Sequence, residues 1–402
     1  METDVCVIGG GPAGLATALA VRRYGLSVLL VDRARPPIDK ACGEGLMPEG
    51  VAALRDLGID PGVEIGLPFR GIRFLEARLT AEASFAEGHG LGVRRADLHR
   101  LLLATAEQAG VMMRWGSPAE ISGASSVDIC GQTVHCRWII GADGAHSRVR
   151  LRAGLPPVWT GLRRIGLRQH FRVEPWSDFV EVHWRQGAQA YVTPVGPNEV
   201  CIAVLSGARG AGLFDVAALF PALAKRLLSA ERIGPLRGAI SMSARLARVT
   251  RDRTALVGDA AGAADAITGE GVAVALRDAI ALGRAIASGD LASYEIAHRR
   301  HSRLPLLAAR LLLYLGSHDG VLERVLQTLA AHPGTFDRLL AAHVGTHGIA
   351  TGAFEIAAVA LRSLWAKQAA PDDFAPRDAR PPLRLEPNAT SDDPRALWRT
   401  LQ

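Results

Sequence analysis

Cysteine is scarce and poorly spaced for joint chemistry: Cys6, Cys42, Cys130, Cys136 and Cys201 form an odd set with no CxxC pair and no histidine at ligand spacing. That argues against a disulfide framework and a structural zinc site, so no metal is expected and a reducing compartment fits. Long apolar runs are missing too. "GVAVAL" before Arg277 and "LLAARLLLYLG" are short or broken by arginine, so no bilayer-spanning helix is expected, while peripheral contact with a membrane stays open. The first residues, "METDVCVIGG", carry acids where a secretion signal carries basic residues, and a cytoplasmic location is the expectation. The surplus of 46 basic over 40 acidic residues, a net +6, is scattered, with no dense basic run and no interleaved aromatics. Nucleic acid is therefore not an expected partner. There is no internal repeat. What is present is a globular composition, 49% hydrophobic and 21% charged over 402 residues, enough for a sizeable core and for two or three domains.

The strongest local pattern is "DVCVIGGGPAGLATALAVRRYGLSVLLVD": an apolar run, a glycine cluster, an alanine-rich amphipathic stretch and a second apolar run ending in an acid. It reads as strand, turn, helix, strand. Gly9, Gly11 and Gly14 stand at GxGxxG spacing, which allows a tight turn, close approach of backbone to a pyrophosphate, and close packing of helix on strand. The helix N-terminus then faces the phosphates, and Asp32 is placed to accept from ribose hydroxyls. Cys6 falls inside the first strand as a small buried residue.

Two later stretches repeat the glycine and acid theme. "CRWIIGADGAHSRVR" is a strand ending at Gly141, followed by Asp143 and Gly144. "TALVGDAAGAADAITGEGVAVALRDAIALGRAIA" gives a strand over 255–257, then Gly258 and Asp259, a turn of small residues, and a long helix from near Gly271. Together with the N-terminal turn, these motifs resemble the superfamily of FAD-dependent monooxygenases, halogenases and prenyl reductases, whose FAD domain is of the glutathione-reductase type. The resemblance implies an α/β fold: a Rossmann-type FAD-binding domain with an inserted antiparallel-sheet substrate domain and C-terminal helices. It implies that Asp259 bonds the ribityl chain and that Asp143 lies near the pyrophosphate and a nicotinamide cleft. The helix entered at Thr268, Gly269 and Gly271 would point N–H groups at the flavin, where negative charge builds on reduction. Arg95, in "RRADLHRLL", matches a family arginine that begins a helix near FAD; the alternative is a surface arginine.

"DKACGEGLMPEG" sits where the superfamily brings a loop back across the flavin, and the resemblance is closest to the prenyl-reductase branch, whose members carry a Cys-Gly loop there. Gly43 and Gly45 would let the backbone approach the ring, and Cys42, the one candidate catalytic residue, would face the reaction cavity; a buried thiol beside a turn is the alternative. Glu44 either orients the loop or faces solvent.

A discontinuous FAD domain is expected over 1–65, 90–155 and 245–300. The pieces 66–89 and 156–244 would form the sheet of the substrate domain, helices would follow over 292–367, and 368–402, rich in proline and charge, would be a poorly ordered tail. His318, His332, His343 and His347 read as surface or helix-end residues. As to chemistry, "AYVTPVG" lacks the tryptophans of the halogenase motif, and no halogenase lysine can be assigned. The reading placed first is an NAD(P)H- and O2-using monooxygenase acting on an aromatic, phenolic or polyketide-like small molecule. Reduction of isoprenoid double bonds is second, and a non-catalytic flavin-binding protein third. With no second GxGxxG, the nicotinamide would bind transiently near Asp143 and Arg148.

Overall fold

The computed structural model describes residues 1–62, 64–207, 216–345, 355–356, 358–359 and 362. Its first sheet grows from the opening strand Glu2–Ile8, whose residues from Val5 onward are buried. Strands covered on both faces read as continuous apolar runs, and this one lies between two parallel neighbours, Gln132–Gly141 and Val28–Asp32. Met112–Trp115 extends the parallel set beyond Val28–Asp32, and Thr254–Leu256 extends it beyond Gln132–Gly141. The strand expected over 255–257 thus sits one residue earlier. Among the described residues this sheet has eight strands, the others being the short antiparallel partners Thr250–Arg251, Ala119–Gly123 and Ser126–Ile129.

The helix Pro12–Arg22 begins with proline in its first turn, where the missing N–H costs nothing. It packs against the helix Gly271–Ser288 so tightly that a Cβ on Gly283 would lie 2.7 Å from the Ala20 side chain and 2.9 Å from its backbone. Gly271–Ser288 stops at Gly289, which is left-handed at φ 74° and closes the helix as glycine commonly does. The next helix, Leu291–Gly316, is capped by Asp290, whose carboxylate accepts from the N–H groups of Ala292 and Ser293. Asp319–Ala331 and Pro333–His343 follow. The expected helical region therefore begins at Leu291; the part of it past residue 345, apart from 355–356, 358–359 and 362, lies outside the described residues, as do the expected tail over 368–402 and His347.

The second sheet runs, strand by strand, Glu231–Ser241, Arg164–Arg172, Glu199–Ser206, Ala188–Gly196, Val180–Arg185, Gly71–Glu76 and Leu79–Ser84. It was expected to be antiparallel throughout. One join departs from that: Val180–Arg185 pairs parallel with Gly71–Glu76. These two strands belong to insertions separated by a hundred residues of chain, and a long crossover frees them from the hairpin geometry that imposes antiparallel pairing. One face of this sheet packs on the C-terminal helices through Val182, Trp184, Leu322, Leu326 and Phe336. Between the sheets and these helices lies one large cavity.

Candidate active site

Thirteen of the residues singled out in the sequence line a single cavity: Gly11, Cys42, Gly43, Glu44, Gly45, Arg95, Gly144, Gly258, Asp259, Thr268, Gly269, Gly271 and His343. Gly9, Gly14, Asp32 and Asp143 stand behind its wall and shape it. A Cβ on Gly14 would lie 1.8 Å from the Gly9 carbonyl oxygen, and one on Gly9 would lie 2.2 Å from that of Ala142. Glycine is therefore required where the first turn meets the strand end before Asp143. Asp32 bonds its own turn, accepting from the N–H groups of Gly10 (2.6 Å) and Ala34 (2.7 Å). Each carboxylate oxygen retains a second acceptor position, so these bonds are compatible with the ribose role. His99, not singled out from sequence, is buried and bonds the Gly10 carbonyl at 2.9 Å.

Asp143 steadies the start of the short helix Arg148–Arg152, whose cap is Ser147, accepting from Arg148 N–H (2.7 Å) and Val149 N–H (3.2 Å), while its other oxygen is buried without a protein partner. Arg148 is exposed and pairs with Glu120 at 3.4 Å. The arginine that reaches the cavity is Arg150, whose guanidinium bonds the carbonyls of Ala260 and Ala145 and leaves Nε buried and unpartnered. Arg95 is not a surface residue. It is 7% exposed, begins its helix beside Gly11, and has Nη1 buried without a partner. Asp259 opens into the cavity; crowding by protein raises its pKa, and Lys40, Arg95 and Arg150 pull it back. Three cations, two of them with orphaned guanidinium nitrogens, thus surround glycine turns that leave no room for side chains. A nucleotide pyrophosphate satisfies that arrangement.

The Cys42 loop is held by a buried polar cluster. Glu44 is 3% exposed, so the alternative that it faces solvent is corrected. One of its oxygens accepts from the Arg95 backbone N–H (3.0 Å), and the other bonds His170 Nε2 at 2.6 Å. Arg168 Nη1 lies 3.0 Å from His170 Nδ1. A guanidinium only donates, so Nδ1 accepts, and the ring hydrogen sits on Nε2, directed at Glu44. Arg168 also pairs with Asp39 at the start of the loop. Thr193 donates to the Gly43 carbonyl at 2.7 Å, and Tyr191 donates to that of Ile267 at 2.7 Å. One sheet therefore fixes both the Cys42 loop and the Thr268 turn. A Cβ on Gly43 would meet no protein atom within 4 Å, and one on Gly45 only ordinary contacts from 3.5 Å. Any requirement for glycine at these two positions is thus set by what the cavity holds.

Cys42 itself is half-buried on the cavity wall, and burial, then the Glu44 carboxylate, raise its thiol pKa. No metal was expected, yet donor atoms of Glu44, His170 and Cys201 lie within 4.8 Å of one another. The Arg168 guanidinium, 3.7 Å from Glu44, already supplies positive charge to this group, so a cation would enter against it. The signal for Arg168 and His170 was present in "RRIGLRQHFRV": residues two apart on a strand share a face.

Residues 2–199 match the family described as FAD binding domain. Menaquinone reductase of Mycobacterium tuberculosis is 29% identical over 78% of this chain and 84% of its own length. Digeranylgeranylglycerophospholipid reductase 1 of Methanopyrus kandleri is 28% identical over 69% of this chain and 78% of its own. A solved flavoprotein/dehydrogenase from Cytophaga hutchinsonii shares the fold, with TM-score 0.76 and 18% identity, over 91% of this chain and all of that one. The chain is an FAD-dependent oxidoreductase, with an FAD binding domain over residues 2–199. As in the reading from sequence, FAD is its cofactor. No helix among the described residues is long and apolar enough to cross a membrane.

Beneath the Thr268 turn of this flavoenzyme lies a second cluster. Glu270 is 2% exposed, its pKa pushed up to about 8 by burial, and Glu49 is pushed to about 7 by burial and by Glu270. His343 Nε2 lies 3.3 Å from Glu270, and burial lowers the His343 pKa. His343 does end its helix, but it is half-buried against this pair and lines the cavity, so it is not the surface residue expected.

Two predictions follow from these groups. Asp259→Ala should weaken FAD retention by about 1.5–3 kcal/mol, the value of a hydrogen bond to a charged group, measured by flavin titration of the apoprotein. Unchanged affinity would remove Asp259 from the site. Secondly, carboxyls with raised folded-state pKa values stabilise the fold below about pH 4.5, where they are protonated folded or unfolded, and that contribution is lost as pH rises through about 7 and 8. The thermal midpoint should fall across this window, and less steeply in Glu270→Gln; equal slopes would contradict the assignment.

Proposed function

We propose that this flavoenzyme reduces carbon–carbon double bonds in the isoprenoid chain of a lipid-like substrate. The observation that carries the reading is the shape and lining of the cavity. Its volume, about 1450 Å³, has to hold FAD as well as a substrate, and it exceeds the roughly 300–1,000 Å³ of a single drug-sized site. From the flavin-binding turns it continues between the second sheet and the C-terminal helices, where Leu304, Leu311, Leu315, Leu322, Leu326, Leu329, Phe336 and Leu340 supply an apolar wall. An extended hydrocarbon chain suits that wall, whereas a compact phenol would leave most of it uncovered. The two reductases reported above, similar over more than two thirds of this chain, support the same choice. It reverses the order drawn from sequence alone, in which hydroxylation stood first.

Saturating a double bond adds a hydride to one carbon and a proton to its neighbour. FAD, when bound and first reduced by a nicotinamide nucleotide in the cleft near Asp143 and Arg148, the electron source of this proposal, would supply the hydride. The residues that would hold FAD are Gly11, Arg95, Arg150 and Asp259, with Asp32 at the ribose. Cys42 supplies the proton: its raised pKa keeps the thiol protonated at neutral pH, and its place on the cavity wall puts that proton within the chamber that receives the chain. Glu44, through Arg95, His170 and Arg168, holds the thiol's loop in position.

The test is anaerobic turnover of a geranylgeranyl lipid by the FAD-loaded, pre-reduced enzyme, with product mass as readout. Product should gain two hydrogens without oxygen, and Cys42→Ala should retain FAD while turning over about a hundredfold more slowly, as loss of a general acid does. Product that forms only with oxygen and gains an oxygen atom would establish the hydroxylase reading in its place.

A further inference from the structure

The wall of the cavity reaches the outside. Leu307, Leu311 and Tyr314, all on the helix Leu291–Gly316, line the cavity and are also 49%, 37% and 51% exposed. A side chain that does both stands at a mouth. Across the opening, Thr160 and Arg163 line the cavity, and beside them Leu162 is 85% and Val158 54% exposed. The two rims meet where Arg310 stacks over Trp159, 4.8 Å from the ring centroid. Isolated exposed apolar residues need no explanation, but several gathered around an opening mark a surface that something covers.

Charge indicates what covers it. From Ile296 to Ser317 the sequence contains Arg299, Arg300, Arg303 and Arg310 and no acid, and 156–163 adds Arg163, also without an acid. Arg299 is paired with Glu295 at 3.5 Å; Arg300, Arg303 and Arg310 are exposed. Leucines that enter an acyl layer, arginines whose stems lie along apolar surface while their heads stay in water, and an aromatic at the boundary are the components of a helix lying in a membrane interface. The arginines add attraction to anionic headgroups. An apolar protein partner would have no use for this excess of one sign.

We propose that the rim formed by Val158, Leu162, Leu307, Leu311 and Tyr314, with Arg303 and Arg310, docks on the surface of an anionic lipid bilayer, so that the cavity opens directly into the acyl layer. The docking rests on these exposed residues alone; its purpose, entry of an isoprenoid chain without passage through water, rests on the reductase reading.

The FAD-loaded enzyme would be sedimented with vesicles of phosphatidylcholine and with vesicles that also contain phosphatidylglycerol, and bound protein scored by flavin absorbance. Binding should require the anionic lipid and weaken as salt is raised. Leu162→Asp and Arg303→Glu, neither of which lines the cavity, should each reduce partitioning about tenfold while leaving turnover of a short, water-soluble prenyl substrate unchanged. Absence of wild-type binding to anionic vesicles, or equal binding by both variants, would overturn the proposal. So would a wild-type dimer in light scattering that Leu162→Asp converts to monomer, since the rim would then belong to a second copy of the chain. Turnover of the short substrate reports on the reductase reading separately: its loss in wild type would sink that reading and leave the docking result standing.

Discussion

A single buried carboxylate ties the site together. Glu44 lies on the loop that carries Cys42, bonds the backbone that starts the Arg95 helix, and meets His170 and Arg168 on the second sheet. It therefore joins three parts of the chain that are far apart in sequence. Its backbone is left-handed, at φ 60°, a conformation that a non-glycine residue adopts only when its surroundings hold it. Breaking a buried ion pair by removing one partner typically costs about 3–5 kcal/mol, large against the roughly 5–15 kcal/mol that stabilises a domain. Asp39, held below its ordinary pKa by Arg168 and Arg237 in spite of burial, anchors the other end of the loop. The position of the Cys42 thiol thus depends on Glu44, two residues along the same loop, together with the partners on the sheet that hold Glu44 in place.

The rest of the architecture divides the work in two. The parallel sheet and its helices build the cofactor end, where close packing of glycines against backbone leaves turns open to phosphates. The second sheet and the C-terminal helices build the apolar end, where leucine and phenylalanine predominate and where the proposal seats the substrate. The Cys42 loop and the Thr268 turn sit at the seam, and Thr193 and Tyr191 of one strand hold both. A reaction that joins a polar cofactor to an apolar substrate needs such a seam to exclude water while leaving a proton source at hand. On this account Cys42 is that source, and the raised carboxyls of Glu49 and Glu270 lie behind the opposite turn.

What was legible in the sequence was local. The glycine turn, Asp32, Asp143, Asp259 and the helix after Gly269 declare themselves through spacing and the alternation of apolar runs, and the strands of the second sheet through their pairing of apolar and polar positions. What was not legible was partnership over distance. Glu44 looked undetermined because its partners at 168 and 170 lie beyond any local pattern, and Arg150, which reaches the cavity, was passed over for Arg148, which pairs outward with Glu120. His343 looked like an ordinary helix end until the fold set it against Glu270. The parallel join between Val180–Arg185 and Gly71–Glu76 was invisible for the same reason. The order of candidate reactions changed as well, because the volume and lining of a cavity come from dispersed side chains that no short motif records.

A crystal structure of the FAD-bound protein tests the central claim most directly. The account predicts the flavin ring between the Cys42 loop and the Thr268 turn, with Cys42 facing it and Glu44 still bonded to His170 and to the Arg95 backbone. A ring bound elsewhere in the cavity, or a loop that swings out and leaves Glu44 in solvent, would contradict it.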